Sequence, residues 1–160
     1  MRWIWIDKFT EFTPRTSATA VKNVSLAEEH LHDLYPAFPI VPNSLIVEGM
    51  AQTAGILVGE ARNFEEKVVL AKITRASFHR LVRPAETITF AATIEQLNEQ
   101  GASISGKVTV AGEPVADIEL MFSHVDQNMK GMKFPEHNFV FTEQFTALLK
   151  TYREQASVTI

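Results

Sequence analysis

The chain has 160 residues, 46% hydrophobic and 21% charged, a composition that suits one globular domain able to bury a full core. Cysteine is absent, which excludes a disulfide framework, a thiolate metal site and a cysteine nucleophile, and fits a reducing compartment. The net charge of −4, with an isoelectric point near 5.7 and no basic run, argues against nucleic acid, because holding a phosphate backbone requires clustered Lys and Arg.

The first stretch, Met1 to Phe12, carries two tryptophans and Asp7 but lacks the basic start, longer apolar run and small-residue cleavage site of a signal peptide, so a cytoplasmic protein is expected. Trp3 to Phe12 and Thr16 to Val24 are rich in β-branched and aromatic residues and read as two short strands joined around Pro14 and Arg15. Leu26 to Pro42 follows, with Pro36, Pro39 and Pro42 at three-residue intervals, which predicts a stiff extended loop without helix. Asn43 and Ser44 are cap-type residues, and Leu45 to Gly59 is apolar on every side except for Glu48, Gln52 and Thr53. A helix apolar all round must be buried, yet this one falls short of the ~20 apolar residues a membrane span needs and carries a carboxylate.

The strands that would wrap it come next. Val68 to Leu81 reads as one strand. Glu86 to Gln96 alternates, with Ile88, Phe90, Ala92 and Ile94 on one face, and Ser103 to Val110 sets Ile104, Val108 and Val110 on another. After a tight turn at Gly112 and Glu113, Val115 to Val125 sets Ile118, Leu120 and Phe122 on its inner side. Successive hairpins with one apolar face give an antiparallel sheet. The expected class is α+β: a hotdog fold, in which an antiparallel sheet wraps a central apolar helix. The hotdog domain is expected over residues 1–126. Residues 127–160 read as an extension, loop-like to Asn138, in which Thr142 caps a last helix bearing Phe145, Leu148, Leu149 and Tyr152 on one stripe.

Glu48 lies about one turn into the apolar helix, and Gln52 follows at i+4 on the same face. A carboxylate in such surroundings costs several kcal/mol if ionised without partners. It is paired, with Arg75, Arg80 or Gln52, or it is protonated, or it does chemistry.

Lys22 to Gln52 resembles the signature region of the 3-hydroxyacyl-[acyl-carrier-protein] dehydratases, which show a KNVT-like strand end, a segment HFPGxPxxPG and a helix LIxEAxAQ. The chain reads KNVS at Lys22 to Ser25, LYPAFPIVPN at Leu34 to Asn43 and LIVEGMAQ at Leu45 to Gln52, and Arg75 to Glu86 is similar to the family's ARFRRPVxPGD stretch. The likeness runs to about Val125. The resemblance implies an acyl-thioester site between two subunits, in which Glu48 protonates the leaving hydroxyl and the amide of Asn43 polarises the thioester carbonyl. It further implies that Leu34, Pro42, Asn43, Gln52 and Phe78 line the substrate site. The substrate would ride on the phosphopantetheine thioester of an acyl carrier protein or of coenzyme A, with no other cofactor and no metal. The assembly would be a homodimer or larger, without a membrane span.

Leu34 stands where the family has its histidine, and Ala37 replaces a turn glycine. His32 and His79 are the candidate substitutes for the lost base. Three functions follow: dehydration with Glu48 and His32, acyl binding as a non-dehydrating or partner subunit, and thioester hydrolysis. Arg80 and Arg83 either meet phosphates of the pantetheine arm or are solvated. His30 and His32 beside Asp33 have metal-ligand chemistry but no distant partner ligand.

Overall fold

A computed structural model describes residues 3–125 and 140–157. Six strands, β1 (Lys8–Thr13), β2 (Ser17–Asn23), β3 (Val68–Phe78), β4 (Thr87–Leu97), β5 (Gly101–Val110) and β6 (Glu113–His124), form one antiparallel sheet in the order β1-β2-β4-β5-β6-β3. Helix α1 (His30–Asp33) is a single turn, α2 (Asn43–Glu60) is the apolar helix, and α3 (Glu143–Ser157) follows the sheet. The hotdog arrangement is the one expected: α2 lies against β2 to β6, and the inward-facing residues Ile88, Phe90, Ile104, Ile118 and Leu120 are almost completely buried beneath it.

Period-two alternation explains why these strands form and which way they face. The β5–β6 hairpin turns on Ala111 and Gly112, one residue earlier than expected, because both take positive φ (50° and 82°) between the paired Val110 and Glu113. Helix α3 packs on β1 and α2 and places Leu149 in the core, with Phe145, Leu148 and Tyr152 against it. Among the described residues, no helix is long and apolar enough to cross a membrane.

Four further expectations need correction. Trp3 to Asp7 is not strand, because the amides of Trp5 and Ile6 are taken by the side chain of Gln52 instead of a neighbouring strand. The proline-rich segment does hold a turn of helix at α1. All three prolines come after it, so they forbid helix only from Tyr35 onward, while burial of Leu31 fastens the turn to the core. Neither Asn43 nor Ser44 caps α2; Pro42 occupies that place with ψ 141°, and its carbonyl accepts from Leu45 and Ile46. Strand β3 ends at Phe78, three residues early, because Arg80 turns away to clasp Glu86. The loop expected over Gln127–Asn138 lies outside the described residues.

Candidate active site

Glu48 lies in the second turn of α2, half-buried, and its Oε1 accepts a hydrogen bond from Gln52 Nε2 at 2.7 Å. Gln52 is buried, and its orientation is dictated by the backbone around it. Its Oε1 accepts from the amides of Trp5 (2.8 Å) and Ile6 (3.4 Å), so its nitrogen must face the other way, toward Glu48 and the carbonyl of Trp3 at 3.2 Å. The N-terminal segment is thus laid across the helix. Trp5 holds it there, with the Lys22 ammonium 4.7 Å from its ring centre and His30 meeting it edge-on.

The arginines that offered a structural explanation for Glu48 are engaged elsewhere: Arg75 with Glu119 at 2.9 Å and Arg80 with Glu86 at 3.0 Å. Among the described residues, Gln52 is the polar partner of Glu48, which is therefore held by a neutral amide without a counter-ion. Replacing Gln52 by Leu is expected to lower unfolding stability by about 2–4 kcal/mol. Two backbone amides lose their acceptor there, at roughly 1–3 kcal/mol for each group left unsatisfied, with partial relief from water. Chemical denaturation measures the loss; an unchanged midpoint would show that the N-terminal segment does not depend on this side chain.

Beside the carboxylate opens a cavity of about 360 Å³. Ala51, Gly55 and Ile56 of α2 line it on one side, Val68 to Leu70 of β3 and Phe122 of β6 on another, and Val140, Phe141 and Phe145 complete the lining. Helix α2 is not wrapped on all sides: Glu48, Ala51 and Gly55 stay half-buried, facing this space. The cavity borders the sheet edge formed by β3, which is unpaired among the described residues and exposes Leu70 and Ile73, and Met121 of the neighbouring β6 is exposed as well.

Of the residues expected at the site, the structure brings Glu48 and Gln52 together at the cavity. Asn43 is exposed at the start of α2 with no positive φ, so the helix needs no glycine there, and its amide is free of any acceptor among the described residues. Pro42 is buried and Phe78 half-buried, both away from the cavity lining of this chain. Leu34 is 55% exposed. Ala37 takes φ 63°, the left-handed conformation that a glycine would adopt freely, at some cost in strain.

His32 is exposed, with Nε2 2.5 Å from the carbonyl of Leu26, and His79 pairs with Asp117 at 2.8 Å on the surface. Arg83 covers the ring of Phe38 at 5.0 Å. No cluster of three metal-ligand side chains occurs among the described residues.

The far wall of the cavity carries no signal in the sequence. Phe122 was visible as an inward residue of β6, but nothing marked it as a lining residue rather than core. His124 continues the same inward alternation, and it is fully buried with its Nδ1 against Glu66.

The site thus combines a carboxylate and an apolar cavity on the central helix of a hotdog fold. A FabA-like domain model matches residues 3–119, and the chain belongs to that family. It is 37% identical over 119 residues to the 3-hydroxyacyl-[acyl-carrier-protein] dehydratase FabZ of Rickettsia rickettsii (strain Sheila Smith), covering 72% of this chain and 81% of that protein. FabZ of Rickettsia africae is 36% identical over the same shares.

Solved structures share the fold at lower identity. The dehydratase heterocomplex ApeI:P from Xenorhabdus doucetiae superposes with a TM-score of 0.64 at 13% identity, over 76% of this chain and 82% of that one. A mutant thioesterase of Pseudomonas aeruginosa superposes with 0.60 at 15%, over 72% and 78%.

Proposed function

We propose that the chain is a dehydratase-type acyl-thioester protein in which Glu48 meets the 3-hydroxyl group of the substrate. The observation that carries this reading is the carboxylate at the head of the apolar cavity, with one fixed amide as its polar neighbour. Dehydration breaks the C2–H and C3–O bonds of a 3-hydroxyacyl thioester. Protonated Glu48 gives its proton to the leaving hydroxyl, a base takes the C2 proton, and the C2–H electron pair becomes the C2=C3 double bond of the enoyl product. Charge developing on the thioester oxygen is met by the free amide of Asn43 at the positive end of α2.

The base in this reading is His32. A carbonyl can only accept, so the contact with Leu26 puts a hydrogen on Nε2, and in the neutral ring Nδ1 is then the acceptor that takes the C2 proton. The chemistry requires no metal and no cofactor beyond the phosphopantetheine arm of an acyl carrier protein or coenzyme A. The cytoplasmic setting expected from the sequence is part of this proposal.

One observation favours a second reading. Leu34, apolar and exposed, holds the place of the family's histidine, which suits a subunit that binds acyl groups and relies on a partner for the base. Incubation with 3-hydroxyacyl and saturated acyl pantetheine thioesters separates the readings. Enoyl product lost in Glu48→Gln and in His32→Ala supports the first. Binding without turnover supports the second, and free thiol from the saturated substrate would replace both with hydrolysis.

A homodimer belongs to the proposal. Strand β3 leaves its outer edge unpaired among the described residues, with Leu70 and Ile73 exposed, whereas β1 at the opposite edge is covered by α3. Ile73→Glu is expected to convert a dimer to a monomer in light scattering after size exclusion. A monomeric parent protein would remove the two-subunit site.

A further inference from the structure

We infer that Phe141 is the stop of the acyl channel and sets the upper chain length that the protein accepts. This rests on the proposed reading of Glu48 as the residue at the reacting end. The face of α2 that carries Glu48 continues with Ala51, Gly55 and Gly59, at i+3, i+7 and i+11, so that past Gln52, which is held against Glu48, this row of the helix raises no side chain, and Ile56 borders it. The cavity follows this face: Ala51 and Gly55 line it, and Phe122 opposite stands 3.5 Å from where a Cβ of Gly55 would be, an ordinary contact. At Gly59 the face is blocked. The Phe141 ring fills the place of the missing side chain, so that a Cβ there would lie 2.3 Å from its Cζ. Phe64, on the loop after α2, meets the same ring edge-on with centroids 5.0 Å apart. Phe141 is thus wedged between two elements and lines the cavity.

The helix also serves as a ruler. At ~1.5 Å of rise per residue, Gly55 lies about 10 Å and Gly59 about 16 Å beyond Glu48. A fully extended hydrocarbon with ~1.52 Å bonds at ~111° advances about 1.25 Å per carbon. The stop therefore falls roughly eight to thirteen carbons past the reacting centre. Medium-length acyl groups fit and long ones meet the ring. Phe141 lies beyond residues 3–119, the part matched by the family model, so this stop comes from the chain's own C-terminal segment.

The test is calorimetric binding of octanoyl, dodecanoyl and octadecanoyl pantetheine amides, which cannot turn over, to the whole protein and to Phe141→Ala, Phe141→Leu and Phe141→Trp. The parent protein is expected to bind the octanoyl and dodecanoyl probes and to bind the octadecanoyl probe at least ten-fold more weakly. Phe141→Ala should recover that ten-fold for the octadecanoyl probe and leave the octanoyl probe within two-fold. Phe141→Trp should weaken the dodecanoyl probe. Melting curves identify a variant that fails to fold, in which case Phe141→Leu, the smaller change, decides. An identical length profile in parent and folded variants overturns the stop while leaving the acyl-binding reading intact. Absence of binding at every length overturns both.

Discussion

Glu48→Gln is expected to lower the rate of enoyl formation by about 10²–10⁴-fold, the usual contribution of one positioned acid or base, while leaving the melting temperature close to that of the parent. The two halves of this result are needed together. The substitution keeps the size of the side chain and an oxygen able to accept from Gln52 Nε2, so the 2.7 Å contact and the clamp on Trp3, Trp5 and Ile6 persist. What disappears is an exchangeable proton at the head of the cavity. A purely structural carboxylate would behave otherwise. With no arginine partner to strand, its neutralisation would remove a desolvation cost and leave turnover unchanged. Steady-state kinetics by enoyl absorbance, with thermal melting on the same samples, distinguishes the cases. A fully active variant would remove Glu48 from the chemistry.

The local and periodic parts of this architecture were legible in the sequence. Alternation through Ile88, Phe90 and Ala92 fixed the inward face of β4, and the i+4 spacing of Glu48 and Gln52 put both on one side of α2. The parts set by long-range contacts were not. Gln52 takes the amides of Trp5 and Ile6 across more than forty residues, a single side chain with no period to announce it, and it is the reason Trp3 to Asp7 is not strand. The turn at His30–Asp33 has no sequence signature beyond the burial of Leu31, which only the assembled core supplies. The spacing of Ala51, Gly55 and Gly59 was visible, but not that an aromatic ring from a distant segment would sit on the last of them. Of the candidate site, the sequence exposed the reactive end and hid the far end, because a carboxylate in an apolar helix is chemically conspicuous and a phenylalanine in a tail is not.

Phe90→Ala is expected to cost about 3–5 kcal/mol of stability, the usual loss for a fully buried phenylalanine, and the size of the loss is tied to Gly49. The Phe90 ring occupies the space beside Gly49, where a Cβ would lie 2.2 Å from Cζ and 2.7 Å from both neighbouring ring carbons. Glycine there lets α2 settle onto β4, at the residue next to Glu48. Gly49→Ala alone must push a ring that is completely buried, an overpacking expected to cost about 1–3 kcal/mol despite the ~1 kcal/mol that alanine gains over glycine inside a helix. Once Phe90 is truncated the same methyl group enters the vacated space. Gly49→Ala should then stabilise, recovering up to about 1 kcal/mol of helix propensity together with some of the lost packing. The sign reversal gives a coupling on the order of 2–3 kcal/mol between two residues in direct contact, measurable as a double-mutant cycle from denaturation midpoints. A matching loss of turnover is expected in Gly49→Ala, because a shift of ~1 Å in a catalytic group is worth ~10²-fold in rate and the ring's resistance falls on the turn that carries Glu48. Additive stabilities across the cycle would mean that the helix is seated by something other than this ring.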